Sequence, residues 1–292
     1  MKTGKLFILI NPAAGKNEPI LETINEVFKD SGLELNVHIL AENEDPAALV
    51  SEAAQNTDVV AIYGGDGSVT AASGALIGTD TPLAIIPGGT ANVMAKELSI
   101  PQDAEVALRL IRDGNYQLKR IDTGVVNDRP FLLRVNLGIM ASMITETDPE
   151  LKDKLGQFAY GLATIKTIRE AEPVTYQLML DGEHITATGV SLTITNSGSL
   201  GIGDLQLQPG ISVSDGLLDV VLLKDAGLTS VIKAAGGSLL GRETEAVCHR
   251  KAKTITVTLP ERQTYLCDDC EDQATQLSLH IVPASLTVIV PC

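Results

Sequence analysis

Val59-Val60-Ala61-Ile62-Tyr63 runs without interruption into Gly64-Gly65-Asp66-Gly67-Ser68, an apolar stretch that ends in glycines set around a single acid. An unbroken apolar run closed by a turn signal is what a strand buried on both faces requires. The glycines mark a tight turn, and the residues beyond them, to about Leu76, read as a helix. The same grammar recurs on either side. Residues 6–10 are apolar and lead into a loop over 11–17. Pro19 then opens a helix with apolar positions at Ile20, Ile24, Val27 and Phe28, and Gly32 closes it. Leu33, Leu35, Val37 and Ile39 alternate as a strand does, and Asp45-Pro46 caps a helix over 47–55. A fourth strand at 83–86 leads into Pro87-Gly88-Gly89-Thr90-Ala91-Asn92 and a helix to Leu98. Asp103 caps one more helix, ending near Asp113. Alternating strands and helices imply a mostly parallel sheet with helices on its faces.

Beyond about Arg120 the pattern changes. Strand-like runs at 174–180 and 185–195 flank Asp181-Gly182, a hairpin signal, and further runs fall at 217–223, 254–259, 276–282 and 286–290. Helical segments at 149–171 and 228–240 interrupt them. A length of 292 residues suits two domains. The reading is an α/β domain over 1–122 and an antiparallel β-sandwich domain over 123–283, with the last strand, 284–292, a candidate to return to the first.

Charge excludes some classes. A formal net charge of −15 argues against nucleic acid as the main partner and against simple adhesion to an anionic bilayer. Aromatics at 3% and no Trp leave little material for stacking bases. No apolar stretch approaches the roughly 18 residues of a membrane span, and the N-terminus lacks a signal-peptide core, so a cytoplasmic location is expected. Cys267 and Cys270 form a lone C-x-x-C, with Cys248-His249 upstream. The spacing suits neither a thioredoxin turn nor a zinc ribbon, and reduced thiols are the expectation.

Chemistry concentrates on the loops at the carboxyl ends of the parallel strands: Asn11 to Lys16, Gly64 to Ser68, and Pro87 to Asn92. That edge is where open α/β sheets bind ligands. Glycine turns bring backbone N–H groups close to phosphate oxygens, and helix N-termini add their dipoles. Lys16 supplies a countercharge, Ser68, Thr90 and Asn92 are short donors, and Asp66 is the acid among the glycines. Neither G-x-G-x-x-G after the first strand nor a P-loop is present, so the expectation is a nucleotide site of another kind.

These motifs resemble the diacylglycerol-kinase catalytic family, especially its bacterial soluble lipid kinases. The resemblance rests on Asn11-Pro12 with Gly15-Lys16, Gly64-Gly65-Asp66-Gly67-Ser68, Pro87 to Asn92, Arg120-Ile121-Asp122-Thr123-Gly124 and Asp215-Gly216-Leu217-Leu218-Asp219-Val220. It implies an NAD-kinase-like α/β domain joined to a β-sandwich, ATP with Mg2+, and a lipid hydroxyl acceptor that reaches the cleft between the domains. By the same resemblance Asn11, Lys16, Gly64, Gly65, Asp66, Gly67, Ser68, Thr70, Gly88, Thr90 and Asn92 serve the nucleotide. Asp66 would orient phosphate or its magnesium. The family's Asp-Gly-Glu segment, whose Glu is the base, would fall on Asp269-Cys270-Glu271, with Asp269 the next suspect. A magnesium site outside the catalytic centre would use Asp215 with main-chain oxygens of Ser212 and Leu217. Read as residues alone, Asp215 is equally a turn residue before Gly216. The lipid would be met at the membrane surface by transient visits, and homo-oligomerisation is left open.

The sequence also departs from the family. Thr70-Ala71 stand where Asn-Glu is usual, Ala41 stands where a nucleotide-touching Thr is common, and Cys270 replaces a glycine that tolerates positive φ. These losses keep a second reading open, a nucleotide- or lipid-binding regulator without catalysis. A relative of the NAD kinases is a third.

Overall fold

The computed structural model describes residues 4–14, 18–138, 172–199, 207–224 and 247–292. Lys16 and the helical segments expected at 149–171 and 228–240 lie outside the described residues. Two compact units are formed. The first includes Met1–Thr123 and Pro283–Cys292; the second includes Gly124–Gly198 and the chain from Leu205 to Val282.

In the first unit β1 (Lys5–Ile10), β2 (Glu34–Ile39), β3 (Val59–Gly64) and β4 (Leu83–Pro87) run parallel in the order β4-β3-β1-β2. The end of β14 (Cys270–Pro291) adds a parallel strand beside β4, with Val288 opposite Leu83. The chain steps from β1 outward to β2, then back past β1 to β3 and on to β4. Because such crossovers are right-handed, this reversal puts α1 (Ile20–Phe28) on one face and α2 (Pro46–Ala54) and α3 (Asp66–Ser73) on the other. Accordingly α1 packs against α5 (Ala104–Asp113), and α2 against α3 and the short 3-10 turn Gly74–Leu76.

With both faces covered, β4 is buried throughout, and β1 and β3 at all but their first residue. Removing most of a side chain such as Ile62 from this core would cost about 2–5 kcal/mol. β2 lies at the edge and leaves Val37 and Ile39 exposed. Helix ends follow local chemistry. The Asp45 carboxylate accepts Ala47 N–H at 2.9 Å, and that of Asp103 accepts Val106 N–H at 3.0 Å. α1 stops at Phe28, earlier than the Gly32 end expected, because Lys29 (ψ 128°) already leaves the helix and Asp30 (φ 60°) turns left-handed before Gly32 (φ 73°) does.

The second unit is an antiparallel β-sandwich. One layer runs β12 (Val247–Ala252), β11 (Leu218–Leu223), β10 (Ser191–Thr195), β7 (Arg134–Gly138) and the end of β13 (Thr254–Cys267). An irregularity between Thr258 and Gln263 lets the start of β13 pair instead with β8 (Val174–Leu180), itself in a hairpin with β9 (Glu183–Gly189). Tyr176, Leu178 and Leu180 point inward from β8 and join one core with Leu137, Leu192, Ile194, Val220 and Leu222.

The single strand expected over 185–195 is therefore two, in different layers. They part after Gly189, where a Cβ would lie 2.5 Å from the Leu223 carbonyl oxygen, so only glycine passes the crossing. The strands expected at 276–282 and 286–290 are one long β14, which kinks at Ala284 (φ 49°). β5 (Tyr116–Val126) and β6 (Arg129–Phe131) form a further hairpin turned by Asn127 and Asp128, both left-handed. The Arg120 to Gly124 motif has a structural use. Asp122 Oδ1 accepts the Ala284 N–H at 2.7 Å and Thr123 Oγ1 meets Ser285 Oγ at 2.8 Å, which ties β5 to β14 at its kink.

Candidate active site

Because the connections leaving β1 and β3 diverge, a crevice opens between their carboxyl ends. Asn11, just after β1, spans it. Its Nδ2 donates to Ser68 Oγ at 2.7 Å, its Oδ1 accepts Ala13 N–H, and its own N–H donates to Tyr63 O at 3.0 Å. A cavity of about 150 Å³ opens here, lined by Leu9, Asn11, Leu40, Ile62, Ser68 and Ala71 among others. Ala71 thus stands on the cavity wall where the family pattern carries a carboxylate. Ala41 lies exposed above, and its N–H is held by Glu44 Oε2 at 2.8 Å. That bond, and then the His38 imidazole beside it, hold the Glu44 carboxyl below its ordinary value.

The two glycine loops are fitted to one another. Gly65 is the N-cap of α3 and Asp66 its first residue. Asn92 (φ 47°) caps α4 (Val93–Glu97), and its side chain closes its own loop by accepting Gly89 N–H at 2.9 Å and donating to Gly89 O at 2.8 Å. A Cβ on Gly89 would come within 2.6 Å of Gly65 Cα, and one on Gly88 within 2.9 Å of the Tyr63 ring. On Gly64 it would meet Ser68 Cβ at 2.5 Å. Gly89 is therefore set by backbone lying against backbone, and Gly64 and Gly88 by the side chains of Ser68 and Tyr63. Close backbone approach is the condition a phosphate-binding loop also needs.

Asp66 joins the loops electrostatically, since its Oδ1 accepts the N–H of Met94 in the first turn of α4 at 3.1 Å. Among the described residues Oδ2 has no hydrogen-bond partner, and the side chain is only half-buried. Thr70 lies half-buried one turn further along α3, while Thr90 is exposed at the tip of the second loop. This donor set suits a hard cation and phosphate: one carboxylate oxygen fixed, the other open, with hydroxyls and glycine amides around it.

In the second unit β13 and β14 form a hairpin whose turn is Asp268-Asp269, since Cys267 and Cys270 are directly opposed. Asp268 (φ 49°) takes the left-handed position. Cys270 lies in strand conformation, and the positive φ of this turn falls on Asp268. The Asp268 carboxylate is buried and accepts the N–H groups of Leu132, Leu133 and Arg134 at 2.9, 3.0 and 2.8 Å. Sequence reading passed over this acid, although an Asp in a hairpin turn is a visible signal. Asp269 is exposed in the turn, and Glu271 is exposed on β14 opposite Leu266. Cys267 is buried, and desolvation, then the Asp268 charge, push its thiol up to about 12. Asp181-Gly182 is the plain β8–β9 turn, with φ of 49° and 92°.

Asp215 is already occupied. Its Oδ1 accepts Leu217 N–H at 3.1 Å and its Oδ2 takes the Lys251 ammonium at 2.7 Å. Ser212 lies in the same turn, where its Oγ accepts Ser214 N–H at 3.3 Å. Among the described residues no group of three His, Cys, Asp or Glu side chains is placed to hold a metal.

The layout of a doubly wound unit with interlocked glycine loops, followed by a β-sandwich, matches that of known proteins over almost the whole chain. Residues 5–126 match the diacylglycerol kinase catalytic domain, and residues 134–290 match the YegS C-terminal NAD kinase beta sandwich-like domain. The chain belongs to this diacylglycerol-kinase catalytic family. An uncharacterised protein of Synechocystis is 30% identical, covering 99% of this chain and 70% of its own length. A protein of Mycobacterium tuberculosis named diacylglycerol kinase is 29% identical over 99% of this chain and 96% of its own. The crystal structure of a diacylglycerol kinase from Bacillus anthracis superposes with a TM-score of 0.81 at 27% identity, covering 99% of this chain and 98% of that one.

Proposed function

We propose that this protein is an ATP- and magnesium-dependent kinase that phosphorylates a lipid hydroxyl of the diacylglycerol type. The observation that carries the reading is Asp66, held at one oxygen by Met94 N–H between two glycine loops and open at the other. Phosphoryl transfer asks a protein mainly for positioning and charge, and this arrangement supplies both. Magnesium, when bound, neutralises charge on the phosphates. Asp66 Oδ2 would hold it, with Ser68 and Thr70 as neighbouring hydroxyls. The amides in the first turn of α3 and that of Thr90 would bind phosphate oxygens, since the N–H groups of Gly88 and Gly89 already donate to Gly64 O and Asn92 Oδ1. Asn11 keeps Ser68 oriented. The acceptor oxygen forms the new bond to the terminal phosphorus as the bond to the bridging oxygen breaks. Its proton passes to Glu271 acting as base.

The test is transfer of labelled phosphate from ATP with magnesium to dispersed diacylglycerol, phosphatidylglycerol, monoacylglycerol, ceramide and a sphingoid base, with NAD as a soluble comparison. A labelled lipid supports the proposal and names its acceptor. Labelled NAD, or stabilisation by nucleotide with no labelled product, contradicts it. The second outcome would fit a regulator that has lost catalysis along with the usual side chains at Thr70 and Ala71.

A further inference from the structure

The turn before β11 and the end of β12 together build a small anionic cluster. Asp219 on β11 is fully buried at the side chain, and its register partner on β12 is Lys251. Asp219 Oδ1 meets His249 Nε2 at 2.5 Å and lies 3.5 Å from Lys251 Nζ, while among the described residues its buried Oδ2 has no hydrogen-bond partner. The same ammonium donates to Asp215 Oδ2 at 2.7 Å and to the carbonyl of Gly210 at 2.8 Å. Burial works against its charge, but the hydrogen bond to Asp215 and the fields of Asp219 and Asp215 outweigh that, and the lysine pKa is raised.

We infer that the Lys251 ammonium is a built-in substitute for the divalent ion that the family resemblance implies at Asp215. A carboxylate oxygen, a backbone carbonyl and a second carboxylate are the hard oxygens a magnesium ion collects, and here one nitrogen collects them. An ion bound through Asp215 Oδ2 would share that oxygen with a fixed cation, and Asp215 Oδ1 is committed to Leu217 N–H. Two cations on one carboxylate oxygen repel each other, which weakens the hold on a divalent ion there. The ammonium ties the 210–217 turn to β12 in every metal condition, so this unit keeps its shape without a divalent ion.

The experiment measures Tm of the nucleotide-free protein in EDTA and in millimolar Mg2+ or Mn2+, for the wild type, Asp215→Asn and Lys251→Met. The wild type melts at the same temperature in both. Lys251→Met falls by roughly 5–10 °C in EDTA, because Asp215 loses its ion pair and Asp219 keeps only His249, and Mg2+ or Mn2+ restores part of the loss. A wild-type gain from Mg2+ that Asp215→Asn abolishes overturns the inference, and a gain that Asp215→Asn retains places the ion elsewhere and leaves the inference standing. A Lys251→Met protein that melts like the wild type, or whose fall the ions leave untouched, also overturns it. If that variant does not fold, the wild-type pair with Asp215→Asn decides.

Discussion

The Asp66 carboxylate accepts the backbone N–H of Met94 at 3.1 Å, so the acid of one glycine loop is fixed by the helix that follows the other. The bond makes Asp66 both a cap for α4 and a charge held between the two glycine loops, and substitution can separate the two roles. Asp66→Asn keeps an amide oxygen for Met94 but removes the charge. It is expected to lower kcat by ~10² or more with little change in Tm. Steady-state transfer rates beside a melting curve read both roles, and retained kcat would remove Asp66 from the chemistry.

Gly89→Ala brings a Cβ to within 2.6 Å of Gly65 Cα and 2.9 Å of Asn92 Oδ1, both parts of fixed loops. The loops must part, at a cost of about 1–3 kcal/mol. The expected result is weaker nucleotide binding by titration calorimetry together with a lower Tm. Unchanged nucleotide affinity would mean that the spacing of the loops does not set the site.

Glu271→Gln should lower kcat by ~10² while leaving lipid KM nearly unchanged, as expected for loss of a base. The hairpin geometry makes this a pointed test. The two-residue turn is Asp268-Asp269, so Glu271 is the second residue after it, and adjacent strand residues face opposite ways. An unchanged kcat would transfer attention to Asp269 in the turn itself.

Asp268→Ala strands the buried N–H groups of Leu132, Leu133 and Arg134 and should destabilise the second unit by about 3 kcal/mol or more in urea unfolding. Asp268→Asn, which keeps one acceptor oxygen and tolerates the left-handed φ, should lose less. Equal losses for the two would mean that the turn rather than the hydrogen bonds carries the stability.

The Asp181 carboxyl is held below its ordinary value of 3.8 by the N–H of Lys253, then that of Thr254. A depressed pKa contributes stability that is present above the unfolded value and lost as pH falls through the folded one. Unfolding free energies from about pH 5 down to about pH 2 should therefore decline more steeply in the wild type than in Asp181→Asn. Parallel profiles would exclude Asp181 from the acid response.

Much of the first unit is legible in the sequence because its signals are local. Apolar runs at β1, β3 and β4, caps at Asp45 and Asp103, and glycines after β3 and β4 each announce themselves within a few residues. The second unit is less so. β5, β7 and β12 escaped notice because long-range pairings stabilise them, as with Leu137 opposite Leu192. The break at Gly189 depends on the Leu223 carbonyl, a residue far along the chain. The glycine loops could be read as a nucleotide site, but their mutual fit could not, since Gly65 against Gly89 is a tertiary contact. Asp215 reads in the sequence both as a metal ligand and as a turn residue, and nothing near it in sequence points to Lys251, which reaches it through the pairing of β11 with β12.

The most direct measurement of the central claim is transfer of labelled terminal phosphate from ATP to dispersed diacylglycerol by the wild type and Asp66→Asn side by side, with magnesium present. The expected result is labelled lipid from the wild type and at least a ~10²-fold lower rate from the variant. Equal rates from the two proteins would contradict the role of Asp66. No labelled lipid from a wild type that still binds ATP would contradict the assignment as a diacylglycerol-type kinase.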